Sequence, residues 1–161
     1  MKKSVLFPLF LLVVLGLGAE PPGGKTLFAY DETNEQSAPY VERFREAFAA
    51  AGIPFDEATA ADLKTKDLAA YDRIVLHGMV MAFNTKSPLR DWLKTAPNLS
   101  GKKVYLFVTA NRWFLDKLFA DLTKLLKKDE ADLVDAVSMA TKDTSDEEEA
   151  AAVRAFVERL K

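Results

Sequence analysis

A polar segment follows the first apolar run of the chain, and its residue types suit the binding of a charged ligand. It combines carboxylates with hydroxyl and amide side chains: Asp31, Glu32, Thr33, Asn34, Glu35, Gln36 and Ser37. Hydroxyl groups and backbone amides at the start of a helix bind phosphate, whereas carboxylates with backbone oxygens bind Ca²⁺. The segment is therefore a candidate phosphate loop or a candidate cation pocket, and a solvated acidic loop is the ordinary alternative.

A second group of residues can supply flat apolar walls for a planar ligand. Met79, Met81 and Phe83 lie in one predicted loop, and Trp113 and Phe114 follow a later predicted strand. Aromatic rings stack on other rings, and Met side chains pack against them. Phe114 also begins a regular apolar stripe, so packing in the core is the expected role of its side chain.

Several chemistries are excluded or disfavoured by the residue types that the chain lacks. There is no cysteine and His77 is the single histidine, which argues against a transition-metal site and excludes thiolate catalysis and disulfides. No serine stands between glycines at a strand-to-helix turn, so no hydrolytic triad is predicted. His77 ends an apolar strand pattern, and a structural hydrogen bond is the expected role of its ring.

Five apolar runs alternate with four helical patterns, and this order predicts how those residues are positioned. The predicted strands are residues 25–30, a weak one within 53–58, 73–77, 103–109 and 133–139. Pro39 and Gly52 bound the first helix, Ser87 and Pro88 open the second, and Ser145 begins a capping box for the last. Residues 60–70 are expected to form a short helix or turn.

Strands that alternate with helices indicate an α/β protein with a parallel sheet. We predict a three-layer, doubly wound sheet of five strands in the order 2-1-3-4-5. The carboxyl ends of strands 1 and 3 then flank a crevice. Three loops are expected to line it: residues 31–37, 77–86 and 109–113.

The start of the chain has the pattern of a secretory signal peptide. Lys2 and Lys3 precede an uncharged, mostly apolar run from residue 5 to residue 18, which is short for a membrane-spanning helix and contains Pro8. We predict a signal peptide at residues 1–19, a short tether at 20–25 and one domain at 26–161. The mature protein is expected to be exported, periplasmic or secreted, without a stable membrane anchor, and an uncleaved anchor is the alternative. The net charge of −2 does not favour a nucleic-acid partner.

Two stretches of the chain resemble flavodoxins. Residues 71–78 (YDRIVLHG) resemble the third strand of that family and the loop that follows, and residues 99–109 (LSGKKVYLFVT) resemble the fourth strand. The resemblance implies a flavodoxin-like fold, bound flavin mononucleotide (FMN) and electron transfer to a redox partner protein. Thr33 and Ser37 match two hydroxyls of the family's phosphate loop, whereas Glu32 replaces another hydroxyl and Glu35 replaces its glycine.

This resemblance and the apolar walls together define a candidate cofactor site at the carboxyl edge. Its predicted members are Thr33, Asn34, Ser37, Met79, Phe83, Asn84, Thr109, Asn111 and Trp113. An enzyme with this site would be an FMN-dependent redox protein rather than a hydrolase. No catalytic residue and no metal ligand is assigned.

The chain also resembles response-regulator receiver domains, though less closely. The acidic pair Asp31 and Glu32, the hydroxyl of Thr109 and the cation of Lys142 stand where receivers carry functional residues. His77 occupies the place of the phosphoaccepting aspartate, so acyl-phosphate chemistry is not expected. Two alternatives to a flavin protein follow. One is a cofactor-free binding or interaction module, and the other is a receiver-like domain with an acidic pocket for a divalent cation.

Overall fold

The computed structural model describes residues 24–80 and 85–161. The predicted signal peptide and most of the predicted tether lie outside these residues, as do Met81, Phe83 and Asn84. No helix within the described part is long and apolar enough to cross a membrane.

Five parallel strands form one sheet in the order β2-β1-β3-β4-β5, which confirms the predicted α/β topology. The strands are β1 (Thr26–Tyr30), β2 (Phe55–Thr59), β3 (Arg73–Val80), β4 (Lys103–Ala110) and β5 (Asp132–Ala140). The helices are α1 (Ala38–Ala51), α2 (Pro88–Leu93), α3 (Arg112–Lys128) and α4 (Asp146–Glu158). Two short 3₁₀ turns, Asp62–Lys64 and Leu68–Ala70, occupy the segment predicted to hold a short helix or turn.

Alternate residues of each buried strand point to opposite faces of the sheet and build two apolar cores. On one face, Leu27 and Leu76 pack with Trp92 of α2 and Leu122 of α3. On the other face, strand residues pack with α1 and α4, and this core is rich in aromatic rings: Phe28, Phe44, Phe48, Phe107 and Phe156. The sheet is therefore covered on both sides, as the continuous apolar runs of its central strands predict.

The predicted helix boundaries are present with their capping interactions. Gly52 closes α1 at a φ of 68°, a left-handed conformation that glycine adopts without strain. The Ser87 hydroxyl accepts a hydrogen bond from the Arg90 amide at 3.1 Å and caps α2. Ser145 and Glu148 form the expected reciprocal capping box at α4.

The third strand is longer than predicted. We expected β3 to end at His77, but Gly78, Met79 and Val80 continue the ladder because they pair with Val108, Thr109 and Ala110 of β4. A Cβ atom at Gly78 would lie 2.6 Å from Cδ1 of Leu122. Gly78 therefore lets α3 pack closely against this end of the sheet.

The edge strand β5 contains a β-bulge. Val104 of β4 pairs with Leu133 and Tyr105 pairs with Asp135, so Val134 is an extra residue without a partner in the ladder. Its side chain is 48% exposed. The opposite edge strand, β2, begins at Phe55 rather than at Ile53, the first residue of the range predicted for it.

Candidate functional site

The carboxyl ends of β1, β3 and β4 lie side by side, because β3 pairs with both of the others. Three segments follow these ends. The first loop (residues 31–37) joins β1 to α1, a second segment leads from β3 to α2, and Asn111 joins β4 to α3. The sheet therefore brings the predicted site segments to one edge, as expected for this topology.

Side chains of the first loop form hydrogen bonds to the backbone of the same loop. The Ser37 hydroxyl donates to the Glu32 carbonyl oxygen at 2.7 Å and accepts from the Asn34 amide at 2.7 Å. Asn34 Oδ1 accepts from the amides of Gln36 at 2.9 Å and Ser37 at 3.0 Å. Ser37 is only 2% exposed, so its hydroxyl faces the loop and not the solvent.

Two residues that flank these bonds, Ala38 and Thr33, also have neighbours within the protein. The Ala38 amide donates to the Asn34 carbonyl oxygen at 2.9 Å. The side chain of Thr33 lies beside Tyr30, and the Tyr30 phenol donates to Glu57 at 2.6 Å. Burial and the hydrogen bond to Glu57 raise the pKa of Tyr30. Of the two hydroxyls that match the phosphate loop of flavodoxins, that of Ser37 is thus engaged within the loop, whereas the Thr33 side chain is exposed.

A phosphate group does not fit this loop as it stands. Four amides, from Asn34, Gln36, Ser37 and Ala38, already donate to oxygen atoms of the loop. The loop also carries three carboxylates and no lysine or arginine. Two like charges about 4 Å apart repel by ~1 kcal/mol in water and by ~4 kcal/mol at an effective dielectric constant of about 20. Binding of a phosphate would require these bonds to break and this repulsion to be offset.

Asp31 lies at this edge with its carboxylate buried, a placement that the local sequence does not indicate. Its side chain is 4% exposed and accepts three hydrogen bonds: from the Met79 amide at 2.6 Å, the Ser87 hydroxyl at 2.8 Å and the Leu89 amide at 2.7 Å. Burial raises the pKa of Asp31 to about 6, although the three hydrogen bonds act in the opposite direction. Asp31 therefore ties β1 to the end of β3 and to the start of α2.

His77 and Thr109 form a buried pair between β3 and β4. His77 Nε2 lies 2.9 Å from Thr109 Oγ1, and both residues are fully buried. The rings of Tyr40, Phe44 and Phe107 surround the imidazole. Burial lowers the pKa of His77 to about 3, so the ring is neutral at physiological pH. The expected structural hydrogen bond is present, and it occupies the hydroxyl of Thr109.

Trp113 is the most exposed large apolar side chain in the described part of the chain. It is the second residue of α3, is 58% exposed and lies with its ring centroid 5.4 Å from that of Phe114. Phe114 is buried in the core, as its apolar stripe predicts. Asn111 precedes α3, and its side-chain oxygen accepts a hydrogen bond from the Thr141 hydroxyl at 3.2 Å. Trp113 thus offers an open ring face at the carboxyl end of β4.

The predicted site residues fall into three places. Thr33, Asn34 and Ser37 lie in the first loop, while Met79 and Thr109 are buried register partners in β3 and β4. Asn111 and Trp113 lie at the start of α3. The predicted members Phe83 and Asn84 are outside the described residues.

A second buried carboxylate near this edge was not recognised as part of the site. Glu149 in the first turn of α4 accepts a hydrogen bond from the Tyr40 phenol and forms a 2.8 Å ion pair with Arg43. Arg43 also pairs with Asp146 at 2.7 Å. The acidic run before α4 indicated only a helix start, but these contacts join α4 to α1.

A cavity of about 460 Å³ opens beside the first loop, on the face of the sheet that α2 covers. It is lined by side chains of both charges and by apolar groups, including Asp31, Glu32, Lys86, Pro88 and Trp92. Within residues 24–80 and 85–161, no three carboxylate or imidazole groups converge in an arrangement that could hold a metal ion.

No family model matches the chain, and no curated protein matches it. Solved structures do resemble it. Oxidised flavodoxin 2 of Bacillus cereus aligns with a TM-score of 0.61 and 22% identity over 84% of this chain and 99% of its own. The flavodoxin of Fusobacterium nucleatum bound to FMN aligns with a TM-score of 0.65 and 9% identity, covering 85% and 96% of the two chains.

A third similar structure is general stress protein 14 of Treponema denticola in complex with FMN. It has a TM-score of 0.59 and 17% identity over 85% of this chain and 99% of its own. The strand order, the flanking helices and these alignments agree over most of the described residues. The chain therefore has the flavodoxin-like fold that its third and fourth strands resemble.

Proposed function

We propose that this protein binds a planar ligand of the flavin class at the carboxyl edge of its sheet and exchanges electrons with a partner protein. The observation that carries the proposal is Trp113, whose 58% exposed ring stands at the end of β4. Trp113 and Val134 are the exposed large apolar side chains within the described residues, and the flat ring of Trp113 can stack on another flat ring. A bound flavin would supply the electron-transfer chemistry.

The structural relatives support the choice of ring. The structures from Fusobacterium nucleatum and Treponema denticola contain FMN, and both share this fold. The low sequence identity means that their ligand supports the proposal without assigning it. The signal-like pattern at residues 1–19 supports the further proposal that the protein acts outside the cytosol.

Titration with lumiflavin, the isolated three-ring system, tests the site without any phosphate. We expect quenching of lumiflavin fluorescence on binding and loss of this quenching in Trp113→Ala. Val134→Ala is the matched control, because Val134 is the other exposed large apolar side chain among residues 24–80 and 85–161, and it lies in the bulge of β5. Both variants should unfold at the same temperature as the wild type.

A second function is favoured by the closed first loop. The amides of Asn34, Gln36 and Ser37 and the Ser37 hydroxyl already form hydrogen bonds within the loop, and this supports a flavodoxin-like domain that serves as a cofactor-free binding module. Absence of binding by lumiflavin, riboflavin and FMN would contradict the flavin proposal and favour this second function.

A further inference from the structure

We infer that the first loop discriminates against phosphate, so that the ligand of the proposed site is a neutral flavin of the riboflavin class rather than FMN. This inference rests on the proposed function, because it specifies the form of flavin that the same edge accepts. It is carried by the hydrogen bonds, burial and charges of residues 31–38.

Three backbone amides of the loop are directed inward. The amides of Asn34, Gln36 and Ser37 donate to Ser37 Oγ or to Asn34 oxygens at 2.7 to 3.1 Å. A phosphate is held at a helix start by amides that point towards it. To bind phosphate here, the loop would have to exchange several short internal bonds for bonds to the ligand.

The Ser37 hydroxyl is not available to replace those amides. Ser37 Oγ is buried and both donates and accepts within the loop. The exposed Thr33 side chain lies beside Tyr30, whose phenol donates to Glu57. Freeing the Ser37 hydroxyl would leave the Asn34 amide and the Glu32 carbonyl oxygen without their present partner.

The negative charge of the loop also disfavours the binding of a phosphate group. Asp31 is fixed at the base of the loop by three hydrogen bonds, while Glu32 and Glu35 are exposed at its surface. A phosphate monoester carries −1.5 to −2 charges at neutral pH. Arg43, the first cation of α1, already pairs with Asp146 and Glu149. Lys86 is not part of the loop, but it lines the same cavity as Asp31 and Glu32.

A neutral flavin avoids both problems. Riboflavin has the same ring as FMN and a ribityl chain that ends in a hydroxyl instead of a phosphate. A hydroxyl can accept or donate one hydrogen bond at the loop surface without opening its internal network. The exposed carbonyl and carboxylate oxygens of an acidic loop are suitable acceptors for such a group.

Parallel fluorescence titrations with riboflavin and FMN test the inference at neutral pH and low ionic strength. We expect riboflavin to bind at least tenfold more tightly than FMN, and we expect this ratio to fall as salt screens the loop charges. Equal affinities, or tighter binding of FMN, would overturn the inference and leave the proposed function intact. Failure of riboflavin, FMN and lumiflavin alike would overturn both.

A double variant tests the source of the discrimination. Glu32→Gln with Glu35→Gln removes two exposed charges and should tighten FMN binding several-fold while leaving riboflavin binding unchanged. Glu46→Gln is the matched control, because Glu46 is an exposed carboxylate of α1 outside the loop. An identical change in FMN affinity in the control would show that the loop charges are not the cause and would contradict the inference.

Discussion

Asp31 accepts a hydrogen bond from the backbone amide of Leu89, with 2.7 Å between Oδ1 and the nitrogen and 58 positions between the two residues. The contact fixes the first turn of α2 to the end of β1. Helix α2 has only six residues, and so short a helix has little stability of its own. Asp31, the Ser87 cap and the buried side chains of Leu89 and Trp92 therefore determine its position together.

Replacement of Asp31 by asparagine tests the buried carboxylate. The pKa of Asp31 is raised from its ordinary value of 3.8 to about 6 in the folded protein. Protonation of this carboxylate therefore stabilises the folded state relative to the unfolded state. Its contribution to the free energy of unfolding is complete below pH 3.8 and is lost as the pH rises through 6. At 1.36 kcal/mol per pKa unit, the loss is about 3 kcal/mol. Urea denaturation at several pH values should show wild type losing this amount relative to Asp31→Asn between pH 4 and pH 7.

The control for this prediction is Glu46→Gln, which removes an exposed carboxylate. Over the same pH range, the difference in unfolding free energy from the wild type should change more for Asp31→Asn than for Glu46→Gln. A constant difference for Asp31→Asn would show that Asp31 titrates normally in the folded protein.

His77 is expected to give the opposite pH dependence. Because burial lowers its folded pKa from 6.5 to about 3, the neutral ring stabilises the protein above pH 6.5. This stabilisation is lost as the pH falls towards 3, and it amounts to on the order of 5 kcal/mol. His77→Phe should remove this loss, so that the free energy of unfolding declines less steeply in acid than it does for the wild type.

Thr109→Val separates the hydrogen bond from the titration. The variant removes the partner of His77 Nε2 but keeps the imidazole, so it should lower stability while retaining the steep acid loss. If His77→Phe and Thr109→Val reduce the loss of unfolding free energy at acid pH by the same amount, titration of the buried imidazole is not the cause of that loss.

Gly78→Ala tests the close approach of α3 to the sheet. The added Cβ would lie 2.6 Å from Leu122 Cδ1, and such overpacking costs about 1–3 kcal/mol. Leu122→Ala alone leaves a cavity and costs about 2–5 kcal/mol. The double variant should be more stable than the sum of the two effects predicts, because the new methyl group enters the vacated space. Strict additivity in thermal or urea unfolding would contradict the proposed contact.

Local signals account for most of what the sequence predicts about the fold. Pro39, Gly52 and the Ser145 capping box mark helix ends through interactions among neighbouring residues, so they can be recognised without the rest of the chain. The end of β3 is different. Residues Gly78 to Val80 form strand because β4 supplies their partners, and no local pattern specifies that pairing.

In the candidate site, too, some features have a local sequence signal and others depend on residues far away in the chain. The turn formed by Asn34 and Ser37 has a local signal, since asparagine and serine side chains often bond to amides two or three residues away. The burial of Asp31 has none, because it depends on the docking of α2 from 58 positions along the chain. An acidic residue after a strand has the same sequence appearance whether its carboxylate faces solvent or the protein.

The bulge at Val134 bears on how molecules of this protein behave when crowded together. A straight nine-residue edge strand is a template on which a second chain can add its own strand, and such growth leads to aggregation. In β5 the extra residue interrupts the ladder after its second position and increases the local twist. The opposite edge, β2, offers only five residues, with Asp56 and Glu57 among them. Neither border of the sheet therefore presents a long, flat and uncharged backbone on which a second chain could add a strand.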